Sequence, residues 1–445
     1  MTAPEPTVLI IGAGTFGTST AYHLAQTYRD PSRVTVIDRE SSPPAKAAAI
    51  DINRIIRADY PSTLYCNLAN EAIHAWFWSN ELGPCFHRVG WLRLNEQGSD
   101  MQDRIFAALR ERGTHIMQDV PLDDLGRRWD GLLAGTETGG FGSAYFNPDA
   151  GWADAASATT RFMATATGKG VKRVVGDVVE LLVNARTGRV EGCRTADGRR
   201  LLADKVVLAV GGWTSALLAP VEAALGVPET DSVERQAQAT AIVSAYYRVS
   251  GGDAQRMAEI EMPCVIYGQV GEVIPASKNN GLLKYNNSDT RLINTVRSKS
   301  GRKISVPAQR DQRDVPEGLK RETEAILTSK LMPKFTQEKP EYWRICWDSM
   351  TPSEDLLLCE HPKVKGAYIM AGGSFCGYKF LPNLGKYMLN VLSGQSNGPE
   401  KDKAWGWKSS ADLEAAVRGR KAGEQREFEE FVDKRPSRPN DQARL

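Results

Sequence analysis

Val8-Leu-Ile-Ile-Gly-Ala-Gly-Thr-Phe-Gly17 decides how the chain begins to fold. Four apolar residues in a row, without polar alternation, read as a strand buried in a parallel sheet. The glycines that follow, Gly12-x-Gly14-x-x-Gly17, have separate tasks. Gly12 permits a tight turn, Gly14 lets backbone approach a pyrophosphate, and Gly17 lets the next helix pack closely on the strand. That helix starts near Thr15 and turns Ala21, Leu24 and Ala25 inward. A second strand, residues 33–38 (RVTVID), ends in an acid 21 positions after Gly17, where a ribose hydroxyl would be bound. Strand, turn, helix, strand and terminal acid together read as a dinucleotide site. Which dinucleotide is open at this point.

At 445 residues the chain is too long for one simple core, so two interlocked domains are expected. A composition 41% hydrophobic and 25% charged is that of an ordinary globular protein. A net charge of +2 gives no electrostatic case for nucleic acid or an anionic membrane. No apolar run approaches the ~18 residues of a membrane span, and residues 1–7 lack the pattern of a secretory signal. The seven cysteines are scattered without C-x-x-C spacing. No metal site or disulfide framework is therefore expected, and a reducing compartment is the default. Ala443-Arg444-Leu445 is a conservative variant of the Ser-Lys-Leu peroxisomal address, on a hydrophilic tail an import receptor could reach. The expected location is the peroxisome, with the cytoplasm as the alternative.

Beyond Asp38 a small-residue loop leads to Asp51-Ile-Asn-Arg-Ile-Ile-Arg57-Ala-Asp-Tyr60. Arg54 and Arg57, three apart, would share one side of a helical turn and suit a carboxylate; surface ion pairs with Asp51 or Asp59 are the competing reading. Helices are expected over 67–80, 102–112, 123–130 and 155–168, the last capped by Asp154. Antiparallel strands over 171–175, 178–183 and 190–194 should follow. A second apolar strand, from Lys205, runs into Gly211-Gly212 before a helix at Thr214. Residues 227–339 are the most polar stretch and read as an inserted antiparallel domain, with a helix over 317–331. A third apolar strand, from Ala367, runs into Gly372-Gly373 and a helix over 383–392, whose first N–H groups would point into the crevice. Three strand-to-glycine turns on one chain suit a long cofactor held along its whole length, adenine at one end and a flavin at the other.

At these residues the sequence resembles the sarcosine oxidase family of flavoprotein amine oxidases, including the fructosyl amino acid oxidases (amadoriases) and the pipecolate and saccharopine oxidases. The resemblance spans residues 8–392. It rests on GAGTFG, NRIIRADY, Gly281-Leu-Leu-Lys284, Cys346-Trp-x-x-x-Thr-Pro and Gly377-Tyr-Lys-Phe380. It implies an α/β (α+β) fold: a Rossmann-like FAD-binding domain of the glutathione-reductase/D-amino acid oxidase type with an inserted antiparallel-sheet substrate domain. The expected cofactor segments are 1–85, 146–226 and 340–396, the substrate segments 86–145 and 227–339, with a charged tail over 397–445. The family's covalent 8α-S-cysteinyl FAD would attach through Cys346, 33 positions before Lys379, with Cys376 as the alternative.

Carried over residue by residue, the resemblance sets the cofactor against Gly12, Gly14, Thr15, Phe16, Gly17, Asp38 and Arg39. Further contacts are expected from Asn53, Arg54, Val175 and Gly211, and from Gly373, Cys376, Gly377, Tyr378 and Lys379. Lys284 resembles the lysine that activates oxygen beside the flavin, and Arg57 with Lys379 the pair that holds a substrate carboxylate. One departure stands out: Ser288 occupies the place of the histidine that the sarcosine enzymes carry four residues after that lysine. The pocket is therefore not that of a strict sarcosine oxidase. The implied reaction oxidises a secondary amino acid, N-alkyl or cyclic, to an imine while O2 becomes H2O2, in a protein expected to be monomeric. A fructosyl amino acid (Amadori product) oxidase and a biosynthetic oxidase whose imine is captured intramolecularly are the alternatives within the family. Outside it stand an NAD(P)-dependent dehydrogenase and a non-catalytic nucleotide-binding protein.

Overall fold

In the computed structural model, which describes residues 4–114, 116–419 and 425–432, the opening apolar run forms strand Val8–Ile11 inside a six-stranded sheet. The order across this sheet is Leu357–Glu360, Ala367–Ala371, Lys205–Leu208, Val8–Ile11, Val34–Asp38 and Lys172–Val175. All pairs are parallel except the antiparallel edge strand Leu357–Glu360. A parallel sheet needs cover on both faces, and alternation along the first strand supplies it. Val8 and Ile10 enter a core shared with helices Thr15–Thr27, Ala155–Gly168 and Leu384–Leu392. Leu9 and Ile11 enter another, shared with helix Thr214–Ala224 and a three-stranded antiparallel sheet within residues 178–202.

A nine-stranded sheet forms the other half. Its order is Tyr342–Met350, Gln238–Arg248, Leu282–Ile293, Gly271–Ile274, Cys264–Tyr267, Trp91–Glu96, Phe141–Asn147 and Gln118–Asp119, with Gln425–Glu427 added alongside Leu282–Ile293. Side chains alternate across a strand, and the register sorts this sheet into two unlike faces. Leu92, Val265, Leu283, Ala245 and Ile345 lie on one face, in an apolar core. Trp91, Arg93, Lys284, Tyr246, Arg344, Cys346 and Asp348 share the opposite face, which meets loops of the parallel sheet.

Several expectations change. Arg54–Ile56 is not a helical turn but a strand paired with Gly151–Ala153, because two adjacent β-branched isoleucines favour extended backbone. Residues 123–130 form no α-helix; the 3₁₀ turns Leu122–Asp124 and Trp129–Gly131 flank Gly126. Lys172–Val175 lies parallel to Val34–Asp38 rather than antiparallel to its successor. Asp154 stands before its helix without capping it, since its carboxylate takes His87 Nε2 at 2.9 Å. Helix Glu317–Thr323 widens into a π turn, Glu324–Thr328. The start of helix Leu384–Leu392 is engaged by protein, Gly385 N donating to Ser19 Oγ at 2.8 Å, so it does not open on the crevice. Segment 340–396 divides: Tyr342–Met350 joins the larger sheet, and the next two strands join the parallel one. Trp405 packs against Tyr387 and Phe428 enters the large core, so part of the tail wraps the molecule. Ala443-Arg444-Leu445 lies outside the described residues.

Candidate active site

The glycine turn does what its spacing requires. Gly12 has φ +101°, and a Cβ there would stand 2.3 Å from the Ala209 carbonyl oxygen; a Cβ on Gly17 would stand 1.8 Å from that of Gly12. Gly14 differs. A Cβ there would meet nothing nearer than Ala47 and Ala49, at 3.9 Å. Gly14 is also the N-cap of helix Thr15–Thr27 and offers no side-chain acceptor, leaving the first N–H groups, those of Thr15 and Phe16 among them, for an anion. Asp38 accepts from Ala13 N at 2.8 Å, and its strand neighbour is Val175. Arg39 lies 4.6 Å from the Trp213 ring, two residues beyond Gly211, itself at φ +54°. Asp38, Arg39, Val175 and Gly211 thus gather with the glycines at the carboxyl edge of the parallel strands, where dinucleotides bind in such sheets.

A second group is built around a carboxylate that sequence reading treated only as a surface ion-pair partner. Asp51 is buried and accepts from Lys284 Nζ at 2.7 Å, Arg54 Nη1 at 2.5 Å and the Tyr246 hydroxyl at 2.9 Å, with Arg344 Nη1 at 3.6 Å. Burial opposes its charge, but Lys284, Arg54 and Arg344 together hold its carboxyl well below the usual range. Lys284 moves down to about 8, chiefly by burial and then by the Arg54 charge. Cys346 Sγ lies 3.5 Å from Arg54 Nη2, and Asn53 O lies 3.3 Å from Lys284 Nζ. Three cations on one carboxylate leave the enclosure with an excess of two positive charges, a fit for an electron-rich group. Both side-chain atoms of Asn53 are buried without a protein partner, which buried polar atoms seldom tolerate. Tyr342, Arg344, Cys346 and Asp348 alternate along one strand, a period-two pattern that could have revealed Arg344 and Asp348 from sequence.

The loop carrying Gly373 is fastened from that same strand. Asp348 accepts from Phe375 N at 2.9 Å, and a Cβ on Gly373 would stand 2.7 Å from its carboxylate. Ser374 and Phe375 hold left-handed φ of 45° and 60°, strained backbone of the kind found at functional sites. Gly377 abuts Phe16, bringing this loop onto the first helix. The Tyr378 hydroxyl donates to Ala155 O at 2.7 Å, so its side chain points into the core and only its backbone can serve the site.

A third group surrounds Arg57. Its guanidinium is stacked between the rings of Tyr60, at 4.4 Å, and Trp91, at 4.3 Å, and donates to the Asp59 carbonyl. Lys379 Nζ lies 5.4 Å from the same Tyr60 ring and donates to Cys376 O at 2.8 Å. Arg57 and Lys379 therefore both lie against the Tyr60 ring. Among the described residues neither forms an ion pair with a carboxylate. Asp59, buried beside them, is pushed up to about 6 by burial, offset in part by Arg57. Arg93 and Tyr145 complete the group; no motif announced them.

Comparison with known proteins gives the family and the fold. Residues 7–390 match the model of the FAD dependent oxidoreductase (DAO) family. The L-saccharopine oxidase of Schizosaccharomyces pombe is 24% identical over 422 residues, covering 90% of this chain and 93% of that protein. The human peroxisomal sarcosine oxidase is 26% identical over 412 residues, 86% of this chain and 91% of that one. Among solved structures, fructosamine oxidase (Amadoriase II) from Aspergillus fumigatus superposes with a TM-score of 0.83 at 23% identity, over 97% of this chain and 98% of that one. Fructosyl peptide oxidase from E. terrenum gives 0.82 at 25% identity, with 97% and 98% covered.

Proposed function

The chain belongs to the FAD dependent oxidoreductase family, and from that premise we propose that it oxidises the C–N bond of a secondary amino acid, N-alkyl or cyclic, to an imine while O2 becomes H2O2. The carrying observation is Arg57, stacked on the Tyr60 and Trp91 rings, with Lys379 against the same Tyr60 ring and no ion-paired carboxylate on either among the described residues. Stacking fixes the plane of the guanidinium and leaves its edge for a bidentate carboxylate.

The residues present fit FAD along its length. The uncapped helix start and the open side of Gly14 suit the pyrophosphate, and Asp38 with Val175 the adenosine. The unpartnered amide of Asn53 and the cationic enclosure at Arg54, Lys284 and Arg344 suit the ring. FAD, when bound, supplies the two-electron acceptor and the route of electrons to oxygen. Arg57 and Lys379 orient the substrate by its carboxylate, a contribution that can be worth several kcal/mol of barrier. Lys284 places a buried positive charge where oxygen gains negative charge. Cys346, whose Sγ lies 3.5 Å from Arg54 Nη2 inside the cationic enclosure, is the proposed point of covalent attachment.

Hydrogen peroxide release from N-methyl and cyclic amino acids tests the reading. Arg57→Ala should lower kcat/KM on these at least about 30-fold while the protein stays folded, as expected for an orienting group; an effect within about threefold would refute the clamp. Oxidation of fructosyl-valine in preference to every N-methyl and cyclic amino acid would replace it with the Amadori-product reading. Flavin fluorescence that stays with the band after denaturing electrophoresis, and is lost in Cys346→Ala but not Cys376→Ala, is expected for attachment at Cys346. A peroxide-forming reaction and the Ala443-Arg444-Leu445 ending support import into the peroxisome, to be tested by deleting those three residues.

A further inference from the structure

Beside the proposed carboxylate clamp lies a second cation that the clamp does not use. Arg93 is 8% exposed, and its Nε donates to Asn95 Oδ1 at 2.9 Å. Its two Nη groups have no protein acceptor, and no carboxylate pairs with it among the described residues. Burial pulls its pKa down, and the charges of Asp59 and Glu96 only partly restore it. Glu96 is itself engaged with Gln269 N, at 2.5 Å.

Arg93 shares the polar sheet face with Trp91, the ring that supports Arg57. Directly across from it stands Tyr145, whose ring meets Trp91 edge-on at 6.4 Å. Lys379, Tyr60, Arg57, Trp91, Tyr145 and Arg93 therefore form one continuous row. Polar atoms along that row are buried without protein partners: the Tyr60 and Tyr145 hydroxyls and Asp59 Oδ2. The other Asp59 oxygen is taken by Asn147 Nδ2 at 2.7 Å. Arg57, Lys379 and Arg93 gather around the buried Asp59, and Glu96 acts on Arg93 only from a partly exposed position. An α-carboxylate at Arg57 and Lys379 would still leave the Nη groups of Arg93, a largely buried cation, without an acceptor, which is expensive.

We propose that the substrate carries a second anionic group, a carboxylate one side chain removed from the first, and that Arg93 with the Tyr145 hydroxyl receives it. The inference rests on the oxidase reading above and adds to it a substrate class: secondary amino acids with an acidic side chain. Paired probes test it. Wild-type enzyme should oxidise N-methyl-L-glutamate with kcat/KM at least about 30-fold above that for N-methyl-L-norvaline, a span in keeping with one buried charged hydrogen-bond pair. In Arg93→Leu the preference should vanish, through a rise in KM for the diacid at least tenfold larger than for the neutral substrate. Arg93→Lys should restore part of it. Independently of turnover, glutarate should raise the melting temperature of the holoenzyme more than butyrate does, and Arg93→Leu should abolish that difference. Equal oxidation of both substrates would overturn the inference, as would Arg93→Leu losing both alike. Oxidation of neither, nor of any other N-methyl or cyclic amino acid, would overturn the oxidase reading instead, and the glutarate shift would still decide whether Arg93 receives an anion.

Discussion

Asp59 sits among three cations and still titrates near neutrality, because burial lifts its carboxyl to about 6 and Arg57, Arg93 and Lys379 offset only part of that. Below its ordinary value of 3.8 the group is protonated in folded and unfolded chains alike. As pH rises toward 6 the unfolded chain releases the proton first, so stability falls, by about 3 kcal/mol in all, and is level above that. Melting curves of wild type and Asp59→Asn should therefore diverge between pH 4 and 7, wild type losing ground. KM for a carboxylate substrate should rise several-fold through pH 6 in wild type only, since the ionised acid competes for the guanidinium. Superimposable pH profiles would remove Asp59 from this role. Sequence could show Asp51 and Asp59 only as possible ion-pair partners. What makes them consequential is burial, and burial depends on Lys284, Arg344 and Asn147, far along the chain.

Local chemistry made some elements legible and others not. VLIIGAGTFG could be read unaided because its strand, turn and helix each follow from neighbouring residues. The geometry separates two of its glycines experimentally. Gly17→Ala drives a Cβ into the Gly12 carbonyl and should prevent folding or cost several kcal/mol. Gly14→Ala meets only ordinary contacts and should fold with a melting temperature close to that of the wild-type apoprotein, yet lose most FAD affinity. A Gly14→Ala protein that retains FAD, or fails to fold, would contradict the assignment of that turn. Arg54 and Arg57 went to a helix because a spacing of three fits a helical face, whereas strand Arg54–Ile56 is fixed by pairing with residues 151–153. Arg93 was invisible for a related reason: its significance comes from Trp91 and Tyr145 beside it and from Arg57 on a distant loop.

Across the whole molecule, the three glycine turns and the polar insertion outlined two halves, but not how often the chain passes between them. The parallel sheet takes strands from residue 8 to residue 371, and the larger sheet from residue 91 to residue 427. Neither half is complete without the C-terminal third. A chain ending at residue 360 should aggregate or remain unfolded, because it lacks Ala367–Ala371 beside Lys205–Leu208 and helix Leu384–Leu392 over the first helix; a compact, FAD-binding fragment in gel filtration would disprove this. Asp51 gives the interleaving a mechanical meaning. It sits on a loop beyond Val34–Asp38, while Lys284, Tyr246 and Arg344 reach it from three adjacent strands of the other sheet. Swinging the halves apart would strip these side chains of their shared counter-charge inside a low-dielectric interior, at several kcal/mol per ion. Asp51 thus acts as a rivet: any opening that parted the two sheets at this point would cost that shared counter-charge.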